Sequence, residues 1–155
     1  MAGRPIESGK VYIIGAGPGD AELITVRGMR IIRQADVILY ADSLVSEALF
    51  ADRKPGAEVL KSSGMHLEEM VACMVERAKA GQVVARVHSG DPSVYGAVLE
   101  QIRLLKRHGV PFEIVPGVSS AFAAAAAVGA ELTVPEVSQT VIFTRTPGRA
   151  SRMPE

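Results

Sequence analysis

Four short stretches hold the residues with which this chain could do chemistry. Gly15-Ala16-Gly17-Pro18-Gly19-Asp20 follows an apolar run, and its glycines let a backbone turn tightly and approach a ligand closely. The spacing is not the dinucleotide fingerprint, because Asp20 stands where a third glycine is needed and Pro18 removes an amide. Nor is it a phosphate loop, since no Gly-Lys-Ser/Thr follows. Tyr40-Ala41-Asp42-Ser43-Leu44-Val45 offers a short carboxylate after a second apolar run. In Val87-His88-Ser89-Gly90-Asp91-Pro92-Ser93-Val94-Tyr95-Gly96, Gly90 permits backbone contact and Asp91 could accept hydroxyls such as those of a ribose. Val115-Pro116-Gly117-Val118-Ser119-Ser120-Ala121 puts two hydroxyls at the start of an alanine-rich run. Each polar residue has a plainer reading: Asp42, Asp91, Ser93, Ser119 and Ser120 are all good helix caps.

Other chemistry finds little support. His66 and His88 have no carboxylate or cysteine at metal-ligand spacing, so no metal site is expected. The single cysteine, Cys73, lies between Val71 and Met74 on an apolar stripe and reads as a packed thiol rather than a nucleophile. No Gly-x-Ser-x-Gly elbow occurs.

Each candidate stretch lies between an apolar run and a helical pattern. Val11-Tyr12-Ile13-Ile14, Val37-Ile38-Leu39-Tyr40, Glu58 to Lys61, Val83 to Val87, Phe112 to Val115 and Thr140 to Thr144 read as strands. Leu23 to Gln34, Ser93 to His108 and Ser119 to Val128 read as helices. Leu67, Met70, Val71, Met74 and Ala78 form the stripe of a further one, closed by Gly81. This alternation predicts an α/β fold, a mostly parallel sheet flanked by helices, with ligands at the carboxyl ends of the strands. Residues 1–130 then form one domain and 131–138, around Pro135, a linker. Residues 139–155 would hold the first strand of a second α/β domain, of which only the start is present, plus a tail.

The 155 residues carry 17 basic and 17 acidic side chains, which argues against a binder of nucleic acid or anionic membrane. With no tryptophan, a stacking platform for single strands is not expected. The longest apolar run, Ala121 to Ala130, is half of the roughly 20 residues a spanning helix needs. A polar N-terminus and one cysteine fit a soluble cytoplasmic protein.

In order along the chain, IIGAGPGD, ADVILYADSLVS, GMHLEEM, RVHSGDPSVYGA and EIVPGVSSAFAAAAA resemble the tetrapyrrole (corrin/porphyrin) methyltransferases that use S-adenosylmethionine. The resemblance covers about residues 10–146. Members acting on uroporphyrinogen III typically carry Asp-Arg after the second strand and Gly-Gly-Asp-Pro-Phe in the third loop. Here those places hold Asp42-Ser43 and Ser89-Gly90-Asp91-Pro92-Ser93. With Gly64-Met65-His66, this places the pattern nearer the members acting on precorrin-4.

The resemblance implies methyl transfer from S-adenosylmethionine to carbon 11 of precorrin-4 or its cobalt form, in cobalamin biosynthesis. It also implies a homodimer of two-domain subunits with the cofactor between the domains, so this chain is expected to be an N-terminal half. Pro18, Gly90, Asp91, Val94, Tyr95, Ser119 and Ser120 would line the cofactor trough. Asp42, Ser43 and His66 would face the macrocycle, with Asp42 binding a pyrrole N–H or taking a proton. The alternatives are a methylase of the same fold with another substrate and a non-catalytic fragment.

Overall fold

The computed structural model describes residues 3–144. Its centre is a five-stranded sheet of β1 (Val11–Gly15), β2 (Val37–Tyr40), β3 (Glu58–Lys61), β4 (Val84–His88) and β5 (Phe112–Val115). Every pairing is parallel and the strand order is β3-β2-β4-β1-β5. The three inner strands are buried along their whole length. That is why β1 and β2 read as continuous apolar runs: helices cover both faces, so no position is left for a solvent-facing residue.

Four helices complete the fold: α1 (Val26–Gln34), α2 (Leu67–Lys79), α3 (Val98–Arg107) and α4 (Ser120–Ala127). On one face Ile31 and Ile32 of α1 meet Tyr12, Ile14, Ile38 and Val87. On the other, Val71 and Met74 of α2 and Val98 and Leu105 of α3 meet Val11, Ile13, Leu39 and Val84. The described residues fall into two units parted after Ala123.

Three elements differ from the reading of the sequence. The helix expected from Leu23 is two pieces, a 3-10 turn at Ala21–Leu23 and then α1. Asp20 caps the first piece; Ile24 and Thr25 are extended, and the Thr25 hydroxyl accepts from the Gly28 amide to start the second. The helix expected from Ser93 begins only at Val98. Tyr95 and Ala97 have φ of 54° and 47°, a left-handed backbone that no right-handed helix can pass through. The strand expected at Thr140–Thr144 is absent, and 139–144 has no regular structure. A strand needs a neighbour for its amides and carbonyls, and among the described residues none is paired with this segment. In the unit beginning at Ala124, the stretch with Pro135 is a turn closed by an antiparallel bridge between Val134 and Ser138.

Candidate functional site

The connections from β1 and β4 leave the sheet in opposite directions, one toward β2 and the other toward β5. Their carboxyl ends are therefore the switch point of the sheet, where such folds open a crevice. Here the loops are stitched together by backbone. The Ala16 amide donates to the His88 carbonyl at 2.7 Å, Gly90 N to Gly17 O at 2.7 Å, and Gly17 N to Gly90 O at 3.2 Å. The β5 loop presses in just as closely. A Cβ on Gly117 would stand 2.1 Å from Gly90 O, and one on Gly15 would stand 2.6 Å from Gly117 Cα. Only glycine fits either place.

Asp91 ties this seam together. Its Oδ1 accepts from Ser93 N at 2.8 Å and its Oδ2 from Gly117 N at 2.9 Å, so one carboxylate bridges the β4 and β5 loops. Burial pushes its pKa up, but the amides of Gly117 and Ser93 outweigh burial and hold it below the ordinary carboxylate range. The capping reading of Asp91 is thus realised, and the cap keeps a negative charge at the mouth of the crevice.

Above the seam lies a cavity of about 300 Å³ lined by Pro18, Leu44, Ser89, Gly90, Asp91, Val94, Tyr95, Ser119 and Ser120. All seven residues expected along a cofactor trough come together here. Leu44 and Ser89 join them, although neither type suggested a ligand. Ser119 is buried and its hydroxyl accepts from the Ala121 amide at 3.4 Å, so it too both caps and lines.

Asp42, Ser43 and His66 do not line that cavity. They belong to a second corner, at the carboxyl ends of β2 and β3. Both Asp42 oxygens are engaged by one residue: Ser63 N donates to Oδ1 at 2.9 Å and Ser63 Oγ to Oδ2 at 2.6 Å. The Ser63 hydroxyl, then its amide, hold the Asp42 carboxyl below its ordinary value. Such a group is a better hydrogen-bond acceptor than proton abstractor. Ser43 is exposed, and so is His66, which opens α2 with its amide on Glu69 Oε2 at 2.8 Å.

Sequence reasoning assigned no role to Arg86 or His88, yet both are buried on the α2–α3 face of β4. His88 is kept neutral: burial, and then the charge of Arg86, lower its pKa to about 4. Its Nε2 has no partner among the described residues. Among those residues no group of three His, Cys, Asp or Glu could hold a metal, and no helix is long and apolar enough to cross a membrane. Cys73 is half-buried rather than fully packed, and burial pushes its thiol pKa up.

An all-parallel α/β sheet whose glycine-joined loops frame a cavity at the switch point belongs to the class of α/β domains that open a ligand crevice at the carboxyl ends of their strands. Residues 10–154 match the family model of the Tetrapyrrole (Corrin/Porphyrin) Methylases, and the chain belongs to that family. It is 66% identical over 140 residues to the cobalt-precorrin-4 C(11)-methyltransferase of Priestia megaterium, covering 90% of this chain and 54% of that one. The chain thus spans about half the length of the curated relatives it matches. The solved structure of a cobalamin biosynthetic enzyme, cobalt precorrin-4 methyltransferase CbiF, superposes with a TM-score of 0.88 at 63% identity, over 94% of this chain and 61% of that one. A uroporphyrin-III C-methyl transferase from Thermus thermophilus, solved with S-adenyl homocysteine, gives a TM-score of 0.69 at 36% identity, over 84% and 53%.

Proposed function

We propose that this chain forms the cofactor-binding half of a methyltransferase that moves a methyl group from S-adenosylmethionine to carbon 11 of precorrin-4 or its cobalt form, in cobalamin biosynthesis. The observation that carries the reading is the single cavity into which the β1, β4 and β5 loops bring Pro18, Gly90, Asp91, Val94, Tyr95, Ser119 and Ser120. Family membership and the close likeness to cobalt-precorrin-4 methyltransferases support the substrate.

The residues fit the cofactor chemically. Pro18, Leu44 and Val94 supply an apolar wall, Ser119 and Ser120 hydroxyls, and Gly90 a side-chain-free approach to the backbone. Asp91 remains anionic at neutral pH, and its unused lone pairs can accept from ribose hydroxyls and attract a sulfonium charge. When bound, S-adenosylmethionine supplies a methyl group on a sulfonium, open to in-line displacement by an electron-rich carbon.

The chain's own contribution is placement. The glycine seam fixes the cavity floor relative to the sheet, so a bound ligand is held at one distance and angle, which is where such reactions gain most. Asp42, held as a carboxylate by Ser63, accepts from a pyrrole N–H and orients the macrocycle, with Ser43 and His66 on the same side. The whole enzyme works in the cytoplasm as a homodimer, a reading supported by the family resemblance.

Calorimetric titration of the 155-residue chain with S-adenosylhomocysteine tests the cofactor site. Micromolar binding is expected, weakened at least tenfold, about 1.4 kcal/mol, by Asp91→Ala. Equal affinity in the two proteins sinks the assignment of this cavity. Gain of one methyl by precorrin-4 with the full-length enzyme, followed by mass, tests the substrate.

A further inference from the structure

Arg86 lies in the middle of the sheet, 4% exposed, with no carboxylate to meet it among the described residues. Its Nη1 donates to the Leu39 carbonyl and to Ser62 Oγ, both at 3.3 Å, and its Nε has no partner there. Burial lowers its pKa to about 10, which leaves it charged at neutral pH. A buried cation without a counter-ion is costly, and an apolar side chain at this place would pack with Val84 and Leu39 at no such cost.

The hydrogen bonds show what the guanidinium does. Ser62 N donates to Tyr40 O at 3.0 Å, and Arg86 grips the hydroxyl of the same residue. The next residue, Ser63, turns both its donors onto Asp42. One polar chain therefore runs from β4 through the end of β3 to the end of β2. His88, two residues along on the same face, stays neutral and so adds no second charge beside Arg86.

We propose that Arg86 is a positioning residue for Asp42: from inside the sheet it sets Ser62, thereby Ser63, and so the carboxylate that faces the tetrapyrrole. What Asp42 faces rests on the function proposed above; the polar chain itself does not. The Lys61 ammonium and the Tyr40 phenol are the other titratable groups that act on Asp42; neither is part of the link, to which Tyr40 contributes only its carbonyl.

The test is a carbon-13 NMR titration of the Asp42 carboxyl in the 155-residue chain, with amide exchange read at Ser63, in the absence of any ligand. In Ser62→Ala the Asp42 pKa should move up toward the ordinary carboxylate value, and Ser63 should exchange about fivefold faster, the worth of one neutral hydrogen bond. Ser62→Thr, which keeps the hydroxyl, should restore both. Arg86→Met should follow Ser62→Ala. Since Ser62 is only half-buried, its variants keep the test decisive if Arg86→Met fails to fold. Wild-type behaviour of Asp42 and Ser63 in folded Ser62→Ala overturns the proposal. This readout needs neither cofactor nor tetrapyrrole, so it stands or falls separately from the S-adenosylhomocysteine titration.

Discussion

The two corners of the sheet are built from different materials. The seam at β1, β4 and β5 is made of backbone: Gly17 and Gly90 exchange amide hydrogen bonds, and Gly15 and Gly117 lie so close to each other and to the Gly90 carbonyl that neither can carry a side chain. The corner at β2 and β3 is made of side chains, running from Arg86 to Ser62 and from Ser63 to Asp42. A backbone seam has few ways to change, because almost any added atom collides with a carbonyl or a Cα. A side-chain corner can be rebuilt one residue at a time. The contrast matches the proposed division of labour, with an invariant cofactor on one side and a substrate that differs between methylases on the other.

The largest effect that could break this contrast comes from Gly117→Ala. Its Cβ meets Gly90 O at 2.1 Å, so loops must move; a loss of about 3 kcal/mol in stability and of S-adenosylhomocysteine binding is expected from chemical denaturation and calorimetry. A wild-type denaturation midpoint would show that the seam yields as readily as the other corner.

His88, between the two regions, sharpens the contrast through pH. Its folded pKa of about 4 lies below the unfolded value of about 6.5, so its contribution to stability is whole above pH 6.5 and is lost as pH falls toward 4. The loss reaches about 3 kcal/mol by pH 4, and stability curves of His88→Asn should be flatter over that window. A variant as steep as the wild type would place the acid sensitivity elsewhere.

Ser63→Ala should have the smallest effect. The denaturation midpoint should stay close to that of the wild type, since the Asp42–Ser63 pair is exposed, while the Asp42 carboxyl titrates closer to its ordinary value. Loss of the fold in this variant would mean that the side-chain corner is no more adjustable than the seam.

The same contrast decides what could be read from the sequence. Buried parallel strands announce themselves as unbroken apolar runs, so Val37–Tyr40 was legible to the residue. Glycines in strand-to-helix turns marked the seam equally well, and all seven expected trough residues met in one cavity. Side-chain links were not legible: nothing in Arg-Val-His tells which way Arg86 points or that Ser62 awaits it. The start of α3 was hidden for a related reason. Tyr95 and Ala97 adopt a left-handed backbone that neither residue type signals. Thr140–Thr144 has the composition of a strand, but composition cannot supply a partner.

The strand order has a consequence for the nascent chain. β1 emerges first, yet its neighbours are β4 and β5, and Val84, the partner of Val11, follows some seventy residues later. At ~5–20 residues per second the apolar strand waits for about 4–15 s on the ribosome with its edges unpaired. β2 and β3, which pair with each other, are both made within that interval. Asp42 and Ser63 can therefore meet before the glycine loops have anything to close against, while β1 waits with both edges open to other chains.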